Sequence, residues 1–218
     1  MDLCCALTGR APAWGLHLDE HGHARVHFRV SGFPDGTAAT DTLYVGIGLI
    51  VGRMSGDRVP VIEGLPPPRS EDQLKALGAA AASSGSTALF HIVGVTPEAP
   101  TLRDALGGRA AEETIAIVPD DVTRVFEEIG SAPEGTAIGA VCLGTPHFSI
   151  NEWRRLTPLL RALDRQPAVP IYVNTARDTL QTLEAEGMAS DLDAARVTIV
   201  TDTCTYLTPV LREATGVV

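Results

Sequence analysis

Apolar side chains recur at Val26, Phe28 and Val30 with polar ones between them, the two-residue period of a half-buried strand, and Gly32 marks its end. The next apolar stretch, Asp41 to Gly52, mixes Leu, Val and Ile with small glycines. Periodicity alone allows a closely packed helix or a buried strand there, and the small residues favour the helix. In "GLPPPRSEDQLKALGAAAASSG" three prolines stop the preceding segment, Ser70 stands at a capping position, and Glu71 and Asp72 put acids in the first turn. Alanine-rich sequence then runs to Gly85, which predicts a helix.

From there strands and helices alternate. "TALFHIVGV" predicts a buried strand, "TIAIVPDDVTRVFEEIG" a strand followed by a helix, and "AIGAVCLG" a strand entering the loop "TPHFS". Ser149 followed by Glu152 has the spacing of a capping box and opens a helix to about Asp164 despite Pro158. The strand "PIYVNTA", a helix from Asp178 to Glu186 and the strand "RVTIVTD" complete the pattern. The fold class is therefore α/β, a largely parallel sheet with flanking helices, and the loops at the carboxyl ends of the strands are the default place for a site.

Length and composition narrow the function. A chain of 218 residues reads as one domain, spanning 1–218, with a core of ordinary size. Its net charge of −10 and its 17 basic residues, of which Lys75 is the single lysine, give no electrostatic footprint for nucleic acid or an anionic membrane surface. Cys4, Cys5, Cys142 and Cys204 are spread out apart from one adjacent pair, and the start has no charged segment, apolar core and cleavage site, so the expectation is a reduced, cytoplasmic chain. The longest apolar stretch, Leu43 to Val51, is broken by glycines and falls far short of the roughly 20 residues of a membrane span.

Three loops at predicted strand ends carry polar residues: "VGVTPEAPT" near Thr96, "CLGTPHFS" near Thr145 and "TDTCTYLTP" near Cys204. Each also has a plain reading, in which Pro97 and Pro146 shape turns, His147 is an ordinary loop histidine and Cys204 a small buried hydrophobe. His21, His23 and His27 would share one face of a strand and invite zinc, but Gly22 suggests a turn, and neither cysteine nor acid stands at a recognisable spacing. Phosphate-loop, dinucleotide and serine-esterase motifs are missing from the sequence, which sets aside those chemistries.

Four blocks in order, "ALTGRAPAWGLHLDE", "LKALGAAAASSGSTALFHIVGVTPEAPT", "LGTPHFSINEWRRL" and "VTIVTDTCTYLTPVL", resemble the catalytic subunit of the aconitase X family. The resemblance implies an aconitase-like α/β fold, an iron–sulfur cluster, and a small swivelling domain or subunit that closes the site. It also implies a dehydratase of small hydroxy acids, in which cluster iron polarises the departing hydroxyl while a base removes the neighbouring proton. Two family substrates are cis-3-hydroxy-L-proline and mevalonate 5-phosphate, and the nearly lysine-free composition favours the first.

By the same resemblance Cys204 in "DTC" is a cluster ligand, thiolate being the donor such clusters require. Thr145 occupies a position where many relatives have Cys in Gly-Cys-Pro-His, so one ligand is expected to be missing; Cys142, three residues earlier, would have to turn into the site to replace it. Packing is the expected role of Cys4 and Cys5. Ser84 and Ser149 are candidates to bind a carboxylate or act as base, Glu98 and His147 to relay a proton, and Asp202 to orient a neighbour; His91, Thr96 and Thr203 complete the candidates. Relatives commonly continue "HLDE" with Asn-Arg, whereas this chain has His21-Gly22, which removes an arginine expected to face substrate. The full catalytic subunit is longer at both ends, and the apolar Val217-Val218 end lacks a helix stop, so the chain reads as a part of that subunit. A second polypeptide carrying the remaining regions is one expectation, and a non-catalytic remnant or interaction scaffold is the other.

Overall fold

The computed structural model describes residues 2–34, 36–130, 132–192, 195–205 and 207–211; the Val217-Val218 end read from the sequence lies outside them. Where length reads as one domain, contacts divide the chain into two compact units, Met1–Ile129 and Gly130–Val218.

The first unit holds α1 (Asp2–Thr8), α2 (Asp19–Gly22), β1 (Val26–Val30), α3 (Asp41–Ser55), β2 (Pro60–Glu63), α4 (Glu71–Ser84), β3 (His91–Ile92), α5 (Leu102–Ala105), β4 (Glu113–Ile117) and α6 (Pro119–Ile129). Its sheet is wholly parallel in the order β3-β2-β1-β4, with Phe28 opposite Ile62 on one side and Ile115 on the other. β1 is central and buried, so Val26 and Phe28 meet a core that includes Ile47, Val51, Leu77 and Ile117.

The glycines of "YVGIGLIVG" explain why that stretch is a helix. A Cβ at Gly48 would stand 2.5 Å from Leu77 O and one at Gly52 2.3 Å from Ala81 O, so α3 and α4 approach at backbone distance. Thr40 caps α3, its hydroxyl accepting from Leu43 N at 3.1 Å. At α4 the expected serine cap does not form: Ser70 holds the cap position without a side-chain bond, and the Gln73 amide oxygen accepts from Arg69 N at 2.8 Å instead.

Two further expectations shift. The strand read in "TALFHIVGV" shrinks to His91–Ile92: the chain turns at once, Val95 N and Thr96 N both donating to Ile92 O at 3.0 Å, with Gly94 at a φ of 73°. The histidine-rich run before β1 is not strand either: Gly15–His17 and Asp19–Gly22 are short helices, so His21, His23 and His27 share no strand face.

The second unit contains β5 (Val141–Phe148), α7 (Ile150–Arg161), β6 (Ile171–Thr175), α8 (Arg177–Ala185) and β7 (Val197–Thr201), a parallel sheet in the order β5-β6-β7. Trp153, Val173 and Leu183 centre its core. The Ser149–Glu152 capping box forms as the spacing predicts, the serine hydroxyl accepting from Glu152 N and the glutamate accepting from Ser149 N. Among the described residues no helix is long and apolar enough to cross a membrane.

Candidate functional site

The sequence places Thr145 and His147 in a loop after β5, but the structure puts them inside an interruption of that strand. Leu143 pairs with Val173 and Phe148 with Thr175, so β5 takes five steps where β6 takes two, and the surplus bulges out. Gly144 opens the bulge with a φ of 86°; a Cβ there would stand 2.1 Å from Asn174 O, so only glycine fits. A cis peptide joins Thr145 to Pro146.

At the carboxyl end of β7 the chain turns through Asp202, a non-glycine residue with a φ of 56°. Asp202 N donates to Thr175 O at 3.1 Å, and its carboxylate accepts from Arg177 N at 3.0 Å and pairs with the Arg177 guanidinium at 2.7 Å. Asp202 thus caps the first turn of α8 from outside the helix, since Ala176 at the cap position has no side chain to do so. Cys204 follows, its carbonyl accepting from Leu207 N and Thr208 N, both at 3.0 Å.

The β5 bulge and the β7 turn meet side by side. Thr145 Oγ1 lies 3.6 Å from Cys204 Sγ, and His147 Nε2 lies 2.9 Å from Thr203 O. A carbonyl only accepts, so the Nε2 of His147 carries the proton. Thr203 Oγ1 is hydrogen-bonded to Thr208 Oγ1. Four sequence-derived candidates, Thr145, His147, Thr203 and Cys204, therefore share one locus at the carboxyl edge of the sheet. Thr145 is exposed and Cys204 half-buried, so the locus is open to solvent.

Ser149 follows β5, and its hydroxyl is occupied by the α7 cap. Cys142 stands opposite Tyr172 in the regular part of β5, before the bulge, and partial burial pushes its thiol above the ordinary cysteine range. Asn174, Thr205, Arg177 and Gly144 escaped the sequence reading; an asparagine inside the apolar run "PIYVNTA" was the one signal that pointed to any of them.

In the first unit the candidates are dispersed. Ser84 Oγ donates to Ala80 O at 2.7 Å and lies 3.1 Å from Leu49 O, which binds it into the α3–α4 seam. Thr96 closes the turn after β3, and Glu98 is exposed within that turn. His91, 2 % exposed, donates from Nε2 to Gly22 O at 2.7 Å, while its Nδ1 is buried without a partner among the described residues. Also among the described residues, no three His, Cys, Asp or Glu side chains converge as a metal-ligand group.

Comparison with known proteins follows the same division of the chain. Residues 24–127 match the model of the aconitase X second domain and residues 138–218 that of the third domain. The chain is 41% identical over 205 residues to the cis-3-hydroxy-L-proline dehydratase of Pseudomonas aeruginosa, covering 94% of this chain and 35% of that protein. It is 34% identical over 208 residues to the phosphomevalonate dehydratase large subunit of Methanothermobacter thermautotrophicus, covering 95% of this chain and 49% of the relative. A crystal structure of Thermococcus kodakaraensis aconitase X in its holo form superposes with a TM-score of 0.78 at 31% identity, over 93% of this chain and 49% of that one. The chain thus spans about a third to a half of the length of these relatives.

Proposed function

The chain belongs to the aconitase X family, and from that premise we propose that it supplies the second and third domains of a hydro-lyase that dehydrates a small hydroxy acid, with cis-3-hydroxy-L-proline as the substrate. The observation that carries this reading is the 41% identity to a cis-3-hydroxy-L-proline dehydratase along 94% of the chain. The lower identity to the phosphomevalonate large subunit, 34%, agrees with the single lysine in ranking a phosphorylated substrate second.

An iron–sulfur cluster is the cofactor of the reading, and the donor set present does not complete a site for one. Clusters of this kind are held by several thiolates. The locus at the end of β5 and β7 brings one thiol, Cys204, against the hydroxyl of Thr145, while Cys142 lies in the regular ladder before the bulge. In this proposal Cys204 is one ligand and the other thiolates come from polypeptide beyond these residues. That polypeptide carries the family's first domain, and a small swivelling subunit closes the site, as the name "large subunit" of the relatives suggests.

The chain's own groups then bind and move protons. His147, whose Nε2 donates to Thr203 O at 2.9 Å, is the group proposed to relay a proton. Glu98, an exposed carboxylate after β3, is the group proposed to accept one. Ser84 and Ser149 remain proposed contacts for the substrate carboxylate; each hydroxyl already has a structural partner, so either would have to exchange it on binding.

Thr145 favours a second reading, a stable non-catalytic scaffold of the same fold. Anaerobic reconstitution with iron and sulfide decides between the two, performed on the chain alone and on the chain mixed with the remaining regions of the Pseudomonas dehydratase. The dehydratase reading expects bound iron, visible absorbance and turnover of cis-3-hydroxy-L-proline in the mixture, all lost in Cys204→Ser. A folded, colourless, iron-free protein under both conditions would establish the scaffold instead.

A further inference from the structure

Asn174 stands fully buried, at 0 % exposure, in the last part of β6, between Val173 and Thr175. Its side-chain Nδ2 reaches Leu143 O at 3.3 Å, at the point where β5 leaves the ladder, and Thr205 Oγ1 at 3.4 Å, one residue after Cys204. A backbone carbonyl can only accept, so the amide orientation is fixed with its NH2 toward the two loops. Gly144, next in the chain after Leu143, rests directly on the Asn174 backbone. One residue thus touches both segments whose side chains meet as Thr145 and Cys204.

The remaining half of the amide gives a reason to look beyond packing. Asn174 Oδ1 is buried without a hydrogen-bond partner among the described residues. A buried acceptor left unpaired lowers stability, and an apolar side chain of similar size would avoid that loss. Residues that break a local rule without stabilising the fold concentrate where a site requires them.

We propose that Asn174 is a positioning residue for the Cys204 thiol: its amide ties the β5 bulge to the turn after β7 and so fixes the separation of positions 145 and 204. The proposal rests on the reading of Cys204 as a ligand, and its test is independent of iron. Asn174 touches no reacting group; it acts through Leu143 and Thr205.

The experiment alkylates the iron-free full chain with iodoacetamide and follows Cys204 and Cys142 separately by peptide mass spectrometry, across a pH series. Asn174→Ala removes the amide, and Thr205→Val removes one acceptor with a side chain of the same shape, so the second variant keeps the question open to test if the first does not fold. Release of the turn is expected to change the Cys204 rate by about fivefold in each variant, the factor for a typical net hydrogen bond. Cys142, held in the β5–β6 ladder, keeps its rate, and the double variant goes no further than the larger single one, the signature of a shared interaction. Unchanged Cys204 rates in both variants would overturn the proposal. So would parallel acceleration of Cys204 and Cys142, which would show that Asn174 serves only the stability of the unit. Should the chain never bind iron, the alkylation result still stands, so failure of the dehydratase reading and failure of this proposal are told apart.

Discussion

At position 145 a hydroxyl stands 3.6 Å from the Cys204 thiol, where the resemblance to the family implies a second cysteine. The bulge that presents it is already in place, so Thr145→Cys should raise the iron retained after anaerobic reconstitution, measured per folded chain against the parent. No gain would mean that the bulge, and not the side chain, sets the loss of affinity. A second prediction concerns Tyr44, whose hydroxyl donates to Pro66 O at 2.7 Å and whose ionisation burial pushes up to about 12. Between pH values of about 10 and about 12 the unfolded chain releases a proton that the folded chain keeps. The contribution of Tyr44 is therefore complete below pH ~10 and is lost as pH rises through its folded value. Urea midpoints at alkaline pH should fall less steeply in Tyr44→Phe than in the parent, while near neutrality the variant should cost about 1 kcal/mol for the lost hydrogen bond.

Two elements carry predictions of opposite kind. The α7 start is written locally: Ser149→Ala removes one half of the capping box and should lower stability by about 1 kcal/mol in chemical denaturation, as cap losses do. The α3–α4 seam is written across the fold, because Gly48 and Gly52 of α3 meet backbone oxygens of α4. Gly48→Ala should therefore destabilise despite the better helix propensity of alanine, by about 1–3 kcal/mol for the forced separation. A neutral or stabilising result in thermal melts would show that the two helices tolerate a wider spacing. The contrast explains what could be read in advance. The Ser149 cap and the strands at 113–117 and 197–201 follow from spacing and apolar runs, whereas Ser70 looked like a cap and makes no side-chain bond, the Gln73 N–H donating to the Ser70 backbone carbonyl at 3.2 Å.

For the whole molecule, the division into Met1–Ile129 and Gly130–Val218 predicts where the chain can be cut. Each unit has its own sheet and core, and residues 132–138 between β4–α6 and β5 are exposed. Brief digestion with a glutamate-specific protease should nick after Glu134 and leave two fragments that resist further cleavage, read by mass spectrometry. Cleavage spread through 24–127 at the same rate would contradict independent units. The same division matches the family's second and third domains, 24–127 and 138–218, which places Cys204 and Thr145 together in the third.

Local sequence determined the α/β class, most of the helices and strands, and the turn after β7 that holds Cys204, because periodicity, caps and apolar runs act over a few residues. The tertiary structure alone decided the rest. It turned the "TALFHIVGV" strand into two residues at a sheet edge, since Val95 N and Thr96 N close a turn on Ile92 O. It brought residues 59 positions apart into contact at Thr145 and Cys204. It also made Asp202 the cap of α8 and gave Asn174 both loops to hold, relations that depend on strand order and register, and no local pattern encodes which strands become neighbours.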